Sequence, residues 1–450
     1  MKTAMLATAA KMVVHLICCL LSMTAIASDP NLLIFTSTPS IPAIPVNAKL
    51  NLMYTVENRV STTSLPIYPY ILNQSGQVDD SIIQRIDSAV NDCGSPGTFL
   101  LRPFAQCNLS FQLTAPSTMG EVSQRLSIDY RGRRPLESPI VFTTTHPIFV
   151  YMTNENSNTV TQCTVSSQTG LFDSATCGDS GAGATFNIPQ YFVFENNNLY
   201  AYVVTIGTAS VRQCHVDNTT GQFSDCSNTG SGFSSPRGIV FQTINAQSYA
   251  YVTNFFGNTV SQCRVGSMGL FTSCVDSQAT GTPFSFPFGI MVFETIGAQL
   301  YAYVVSESPG SVIQCPVDSV SGLFGFCVNS GADHLNTPRG LAFQTIGTQL
   351  YAYIANNGGG VTQCQINNVS GLFSHCQDSG ATGVPLSNTN GLAFETIASQ
   401  LYAYVTISTG SASSVVQCPV SSATGLFGIC IDSGAPPSSA NDYFGINFLN

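Results

Sequence analysis

Residues 338–378 carry the pattern from which the fold of this chain can be predicted. They read PRGLAFQTIGTQLYAYIANNGGGVTQCQINNVSGLFSHCQD and contain four short apolar runs, 340–343, 350–354, 361–366 and 373–377. Runs of this kind between Gly, Asn and Ser clusters are typical of β-strands. A turn near Ser370 would place Cys364 opposite Cys376. Facing residues of antiparallel strands have Cα atoms about 4.5 to 5.5 Å apart, which a disulfide can bridge.

The same unit recurs six times between residues 146 and 450, with a period of about fifty residues, and its cysteines set the register. Four antiparallel strands at such a period are the signature of a β-propeller blade. Each blade is therefore expected to hold one internal disulfide. The expected pairs are Cys163 with Cys177, Cys214 with Cys226, Cys263 with Cys274, Cys315 with Cys327, Cys364 with Cys376, and Cys418 with Cys430.

The two ends of the repeat region are incomplete in complementary ways. The first unit opens at Ile148-Phe149-Val150-Tyr151, which matches the second strand of the other units. The chain ends with Phe444-Gly445-Ile446-Asn447-Phe448, which matches a first strand. We therefore predict an all-β fold in which residues 146–450 form a six-bladed β-propeller, with the C-terminal strand completing the first blade.

Two short motifs carry a family resemblance. Tyr251-Val252-Thr253-Asn254 and its variants at 151–154 and 353–356 resemble the YVTN repeat of secreted bacterial β-propellers. The Pro-x-Gly-apolar segments at 236–239 and 338–341 resemble the NHL repeat. The resemblance covers residues 146–450 and implies the blade fold rather than any particular activity.

Residues 28–145 lack the repeat and show alternating strands of their own. About seven short strands in this length predict a small β-sandwich, similar to the immunoglobulin-like modules of bacterial surface proteins. Cys93 and Cys107 would form its disulfide. A seventh blade is the alternative, but the spacing and the Tyr-Ala-Tyr segment of the repeats are missing.

The N-terminus predicts the compartment. Residues 1–27 hold basic residues, a short apolar run and Ala25-Ile26-Ala27, as a cleaved signal peptide does. The apolar run is shorter than the about 20 residues of a membrane span. Without Cys18 and Cys19, fourteen of the 16 cysteines remain, and disulfides are their expected state in an oxidising compartment. We expect a secreted, periplasmic or extracellular protein with no membrane span in its mature form.

Composition and missing motifs narrow the function. Charged residues make up only 8% of the chain, and Lys2, Lys11 and Lys49 are the only lysines, so no cationic surface for nucleic acid is expected. The sequence has no Cys-x-x-Cys, His-Glu-x-x-His, phosphate loop or Gly-x-Ser-x-Gly motif. We expect no cofactor and no metal.

One acidic position recurs after the second cysteine of the repeat. It is occupied by Asp179, Asp276, Asp378 and Asp432, with Asn228 and Asn329 in the other units. A ring of carboxylates could bind calcium, whereas Asp or Asn before Ser can also cap a turn with its own side chain. Replacement by Asn favours the turn.

Residues shared by all blades hold the blades together, so a ligand must be recognised where the blades differ. The loops between strands two and three and those leading into strand one should lie on one rim. The differing aromatic and basic residues there are Phe233, Arg237, Phe255, Phe256, Phe284, Phe286 and Arg339. This composition is typical of an interaction hot spot, although the same side chains could instead fill the packing of the rim.

We therefore expect a non-catalytic, monomeric binding protein whose rim meets a protein or a polysaccharide. Two alternatives stay open. Lactonases and related hydrolases share propeller folds, and such a site would lie in the central channel, where Asn187, Asn390 and Asp442 are the plausible metal ligands. A structural element of a surface layer is the second alternative.

Overall fold

The structure is a computed structural model. It describes residues 33–38, 44–45, 49–59, 65–72, 83–86, 93, 99–114, 120–129, 136–145, 147–181, 186–195, 200–217, 219–408, 412–439 and 443–449. The expected signal peptide and Asp442 lie outside these residues. Every regular element within them is a β-strand, and nearly all strand pairs are antiparallel, so the predicted all-β class is confirmed. The chain divides into two compact units, Met1–Thr145 and His146–Asn450.

The first unit contains two sheets around one core. Their orders are β1-β3-β7-β5 and β2-β9-β8-β4-β6. Leu52 and Phe111 from one sheet and Leu126, Ile128 and Ile140 from the other belong to the same buried cluster. The strands are β1 (Leu33–Ser37), β2 (Ile44–Pro45), β3 (Lys49–Asn58), β4 (Leu65–Leu72), β5 (Ile83–Ile86), β6 (Phe99–Leu101), β7 (Gln106–Thr114), β8 (Gly120–Asp129) and β9 (Leu136–Thr145).

The second unit is built from short strands that follow the fifty-residue repeat. They are β10 (Ile148–Asn154), β11 (Thr159–Val165), β12 (Phe172–Asp179), β13 (Pro189–Glu195), β14 (Tyr200–Thr205), β15 (Ser210–Val216), β16 (Phe223–Thr229), β17 (Pro236–Ile244), β18 (Gln247–Asn254), β19 (Thr259–Val265), β20 (Phe271–Asp276), β21 (Thr280–Gly281), β22 (Pro287–Ile296), β23 (Gln299–Ser306), β24 (Ser311–Pro316), β25 (Phe326–Asn329), β26 (Pro338–Ile346), β27 (Gln349–Asn356), β28 (Val361–Ile366), β29 (Phe373–Asp378), β30 (Thr382–Gly383), β31 (Leu392–Ile397), β32 (Gln400–Ser408), β33 (Ala412–Pro419), β34 (Ile429–Asp432), β35 (Ser438–Ser439) and β36 (Tyr443–Leu449).

These strands form six sheets, numbered 1 to 6 here in chain order: β12-β11-β10-β36, β13-β14-β15-β16, β17-β18-β19-β20, β21-β25-β24-β23-β22, β26-β27-β28-β29 and β30-β34-β33-β32-β31. The first strand of each sheet from 2 to 6 contacts the first strand of the next, and β36 contacts both β31 and β13. The sheets therefore close into a ring. β36 pairs with β10, with Val150 opposite Phe448, which is the pairing expected from the incomplete first repeat.

All seven expected disulfides are present. Their Cα atoms lie between 4.0 and 5.0 Å apart, and six of them join the third and fourth strands of one sheet. The predicted disulfide pairing is confirmed.

A repeated hydrogen-bond unit joins each sheet to its neighbour. In sheet 4, the buried hydroxyl of Tyr303 donates to the carbonyl of Gly371 in sheet 5 at 2.9 Å, and Gln314 Nε2 donates to Tyr303 at 3.1 Å and to the carbonyl of Ser370 at 2.8 Å. Burial raises the pKa of Tyr303 to about 12, because the phenolate form would lose its hydration.

The same contact recurs around the whole ring, with oxygen distances of 2.7 to 2.9 Å. The pairs are Tyr151 with Gly221, Tyr202 with Gly269, Tyr251 with Gly322, Tyr303 with Gly371, Tyr353 with Gly425, and Tyr404 with Gly170. The last pair joins sheet 6 to sheet 1. These buried tyrosines therefore belong to the core and also connect the sheets.

The recurrent acidic position caps a turn. The carboxylates of Asp179, Asp276, Asp378 and Asp432 each accept a hydrogen bond from the amide two residues later, at 2.7 to 3.0 Å, and Asn329 does the same. The turn interpretation is confirmed. Within the described ranges, no three His, Cys, Asp or Glu side chains come together in a way that could hold a metal ion. The described part of the chain also holds no helix with the length and apolar character to cross a bilayer.

Candidate functional site

One end of the ring holds a cavity of about 490 Å³ at its centre. Its lining residues lie at the beginnings of first strands and in the loops that follow second strands. They come from five of the six sheets. We call it the central cavity and define it by its lining residues, Glu155, Arg237, Phe255, Phe288, Glu307, Arg339, Asn357, Asn388 and Phe444. Its size falls within the range of about 300 to 1,000 Å³ that is usual for small-ligand sites.

The floor of the central cavity is aromatic. Tyr191, Phe288 and Phe444 are at most 4% exposed and form one cluster, with 6.4 Å between the ring centroids of Phe288 and its two neighbours. Phe288 and Phe444 belong to sheets 4 and 1, on opposite sides of the ring. Their contact therefore closes the ring centre beneath the cavity.

Glycine allows the inner strands to meet here. A Cβ atom on Gly289, whose φ is +64°, would collide with the backbone carbonyl of Arg339, and one on Gly238 would collide with that of Gly289. The glycine of the Pro-x-Gly segments is thus required by close backbone approach at the ring centre. The residue between Pro and Gly is then directed to the cavity, as Arg237, Phe288 and Arg339 show.

Arg339 is bonded to its surroundings on several sides. Its Nε donates to Glu307 Oε1 at 2.8 Å and its Nη1 donates to Asn390 Oδ1 at 2.9 Å. Its Cζ lies 4.8 Å from the ring centroid of Phe288, a cation–π distance. Groups of the protein itself therefore hold the orientation of Arg339.

Arg237 has a different environment. Its Nη1 donates to the neutral side chain of Gln190 at 2.7 Å, and its Cζ lies 4.8 Å from the ring of Phe255 and 4.9 Å from that of Phe288. Within the described residues, no carboxylate lies within the 4.0 Å of an ion pair with Arg237. Burial lowers the pKa of Arg237, and the negative charge of Glu155 partly opposes this effect.

A group of phenylalanines borders the central cavity beside Arg237. Phe255 lies 5.0 Å from Phe256 and 5.1 Å from Phe286 between ring centroids, and we call these three residues the Phe cluster. Phe256 is 68% exposed and Phe286 is 37% exposed. The amide of Phe255 donates to the carbonyl of Ser235 and that of Phe286 to the side-chain Oδ1 of Asn258, so hydrogen bonds from both amides hold the cluster in place.

Backbone strain accompanies this surface. Phe286 has a φ of +50°, in the left-handed region that L side chains disfavour. The residue directly before the first strand is also left-handed in three other sheets, at Ile188, Ser235 and Thr337, and in sheet 6 Asn388, four residues before β31, is left-handed too. None of these residues is glycine. Strain of this kind is common at binding sites.

The structure brings five of the seven expected rim residues together. Arg237, Arg339 and Phe255 line the central cavity, and Phe256 and Phe286 adjoin it. Phe233 and Phe284 do not join them.

Phe233 and Phe284 are 7% and 5% exposed and pack inside the hydrophobic clusters between sheets. These two phenylalanines therefore fill the packing of the rim, which was the alternative to a binding role. The chain passes over the sheet edge three residues before the first strand, and the ring at that position turns inward.

Several residues that line the central cavity are not among the expected rim residues. Glu155, Glu307 and Asn357 occupy the same repeat position as Phe255, directly after the second strand, and Phe444 occupies the position of Arg237. Comparing the repeats position by position would have identified them, because the blades differ most there.

The three residues suggested as metal ligands of a hydrolase differ in their surroundings. Asn390 is 1% exposed, and its Oδ1 accepts hydrogen bonds from Arg339 and Asn357. Asn187 is exposed, and Asp442 lies outside the described residues. Among the described histidines, none lines the central cavity.

No protein-family model and no curated protein matches this chain. Solved structures that resemble it include the following three. A putative 6-phosphogluconolactonase from Bacteroides fragilis has 13% identity and a TM-score of 0.45, and the match covers 68% of this chain and 98% of that one. The periplasmic gluconolactonase PpgL of Pseudomonas aeruginosa has 12% identity and a TM-score of 0.46, covering 67% and 99%. An auxiliary nutrient binding protein from Bacteroides ovatus has 10% identity and a TM-score of 0.36, covering 82% and 94%.

Proposed function

We propose that this chain is a secreted or periplasmic, monomeric binding protein of two domains. Residues 28–145 would form an immunoglobulin-like β-sandwich and residues 146–450 a six-bladed β-propeller of the YVTN and NHL type. The closed ring of six repeated sheets supports the propeller, and seven disulfides support an oxidising compartment. The bound partner would be a polysaccharide, held at the ring end that carries the central cavity and the Phe cluster.

The observation that carries this proposal is the exposed Phe cluster beside a cavity with polar walls. Contiguous exposed apolar patches, unlike single exposed apolar side chains, mark interaction sites. Phe256 and Phe286 are both exposed and both pack on Phe255, so they form such a patch. The apolar face of a sugar ring packs well on an aromatic side chain, while its hydroxyl groups need hydrogen-bonding partners. Phe256 and Phe286 offer the first, and Glu155, Asn357 and Asn388 offer the second.

Binding accounts for the cavity better than hydrolysis does. The carboxylate of Glu307 accepts a hydrogen bond from Arg339, and the amide oxygen of Asn390 accepts two. These groups are fixed by one another, as expected for a preformed binding surface. No observation in the described residues specifically favours a catalytic role.

Replacing both Phe256 and Phe286 by alanine should weaken polysaccharide binding roughly tenfold or more, because exposed aromatic anchors contribute most to such contacts. A glycan array with the intact protein would identify a bound saccharide, and isothermal titration calorimetry would then compare the double variant with the unchanged chain. The thermal unfolding midpoint should stay the same, since both rings lie at the surface.

Phe326→Ala is the matched control, because Phe326 is also 68% exposed but lies on β25, which contributes no residue to the lining of the central cavity. It should bind as the unchanged chain does. Equal binding by the double variant, or an equal loss in Phe326→Ala, would contradict the proposal. Capture of a protein instead of any glycan would overturn the choice of polysaccharide.

A further inference from the structure

We infer that the bound saccharide carries an anionic group, a carboxylate or a sulfate ester, and that Arg237 binds this group. The inference rests on the proposed function and specifies the ligand class of the same site. It follows from the charges, the contacts and the position of Arg237.

The distribution of positive charge points to this site. Residues 146–450 contain fifteen acidic residues, four arginines and no lysine. Two of those four arginines, Arg237 and Arg339, line the central cavity. Two carboxylates, Glu155 and Glu307, line the same cavity, and Glu307 forms an ion pair with Arg339. Arg237 is therefore the cation of the cavity that has no ion pair with a described residue and can attract an anion locally.

The two arginines differ in whether a carboxylate of the protein pairs with them. Arg339 forms an ion pair with Glu307 at 2.8 Å. Arg237 donates only to the neutral Gln190, and Nη2 makes no hydrogen bond to a described residue. A partly buried cation without a carboxylate partner is energetically costly, and an anion entering the cavity would remove that cost. The guanidinium of Arg237 can therefore form an ion pair with an anionic ligand.

The contacts of Arg237 also preorganise it. Phe255 and Phe288 contact the guanidinium at 4.8 and 4.9 Å, and Gln190 holds Nη1. The side chain thus needs little ordering when an anion binds, and charge-assisted hydrogen bonds from a fixed guanidinium are strong.

Within the Phe cluster, Phe255 is the residue that contacts the guanidinium of Arg237. Its ring lies 5.0 Å from Phe256, 5.1 Å from Phe286 and 4.8 Å from the Cζ atom of Arg237. A sugar ring resting on Phe256 and Phe286 would have its neighbouring substituent over Arg237. This adjacency predicts a sugar whose anionic group lies at the edge of the ring that is stacked on the cluster.

The test is calorimetric titration of the disulfide-intact chain with four probes of equal length. These are an oligogalacturonide, its methyl ester, a sulfated galacto-oligosaccharide and a neutral galacto-oligosaccharide. We expect the oligogalacturonide or the sulfated probe to bind roughly 10-fold to 100-fold more tightly than the neutral probes, which is the usual effect of hydrogen bonds to a charged group. Whichever of the two anionic probes binds identifies the anion as carboxylate or sulfate.

Variants assign the preference to Arg237. Arg237→Gln should abolish the difference between charged and neutral probes, and Arg237→Lys should keep part of it, because lysine retains the charge but not the planar fork. Arg264→Gln is the matched control, since Arg264 is an exposed arginine of the same sheet that bonds to Gln247. It should leave all four affinities unchanged.

Glu155→Gln tests the inference without removing Arg237. Glu155 lines the same cavity and acts on Arg237 electrostatically, so its neutralisation should strengthen anionic binding several-fold. Thermal unfolding of each variant checks that it folds, and a misfolded Arg237→Gln leaves Glu155→Gln as the deciding variant.

Equal affinity for charged and neutral probes would overturn the inference and leave saccharide binding at the Phe cluster intact. An unchanged charge preference in Arg237→Gln would likewise overturn it. Absence of binding to every saccharide would overturn both this inference and the proposed function.

Discussion

Replacing Gly371 by alanine is expected to lower the free energy of unfolding by about 4 kcal/mol. The glycine has a φ of +71°, and an added Cβ would collide with the hydroxyl of Tyr303 and with Gln314 Nε2. The left-handed backbone costs about 1–2 kcal/mol for an alanine, forced overpacking about 1–3, and displacing a buried hydrogen-bonding group about 1–3. Denaturation by guanidinium chloride, followed by circular dichroism, would measure the loss.

Gly347→Ala is the control within the same sheet. Gly347 has a φ of +61° but nothing within 4 Å of an added Cβ. Only the cost of the left-handed backbone applies to this variant, so the free energy of unfolding should fall by about 1–2 kcal/mol. Equal losses in the two variants would show that the contact between Tyr303 and Gly371 does not connect neighbouring sheets in the way described above.

Replacing Cys364 and Cys376 together by serine should lower the free energy of unfolding by roughly 3 kcal/mol. The two cysteines are 12 residues apart in sequence, and closing a loop of this size in the unfolded chain accounts for that amount in the chain-entropy model. The midpoint of guanidinium denaturation of the ring unit would measure it.

The matched control for that variant is the double replacement of Cys93 and Cys107 by serine. These cysteines are 14 residues apart but belong to the first unit. The control should leave the transition of the ring unit unchanged. If it shifts that transition as much as the ring variant does, the two units do not unfold independently and the assignment of the effect to one sheet is wrong.

The sequence determined the architecture well because each repeat encodes the same local structure. Alternating apolar residues and turn residues specify the strands, and the cysteine pairs specify which strands are neighbours. The incomplete repeat at each end specifies how the ring closes. Each of these signals acts within about fifty residues or is repeated many times, so one ambiguous segment does not alter the result.

The candidate site was harder to predict because its parts meet only when the ring is closed. Glu155 and Glu307 are far apart in sequence, and each alone looks like a solvated loop residue. Their shared cavity depends on sheets that lie at opposite sides of the ring. Arg237 and Arg339 were found because they differ from the equivalent residues of the other repeats.

Phe284 and Phe286 show where sequence reasoning fails. They are two residues apart, and both were expected at the rim, yet Phe284 is buried and Phe286 is exposed. The left-handed backbone of Phe286 turns the chain just before the first strand. Because neither residue is glycine and Pro287 follows, no sequence signal predicts that conformation.

Hydrogen–deuterium exchange of the intact chain, with and without a saturating saccharide found on the array, tests most directly that this end of the ring is the binding surface. Slower exchange is expected in residues 254–258 and 284–288, which carry the Phe cluster, and in residues 234–240 around Arg237, which contacts Phe255 of that cluster. Slower exchange confined to residues 33–145, or to the hairpins between third and fourth strands such as 318–322, would contradict the proposed binding surface.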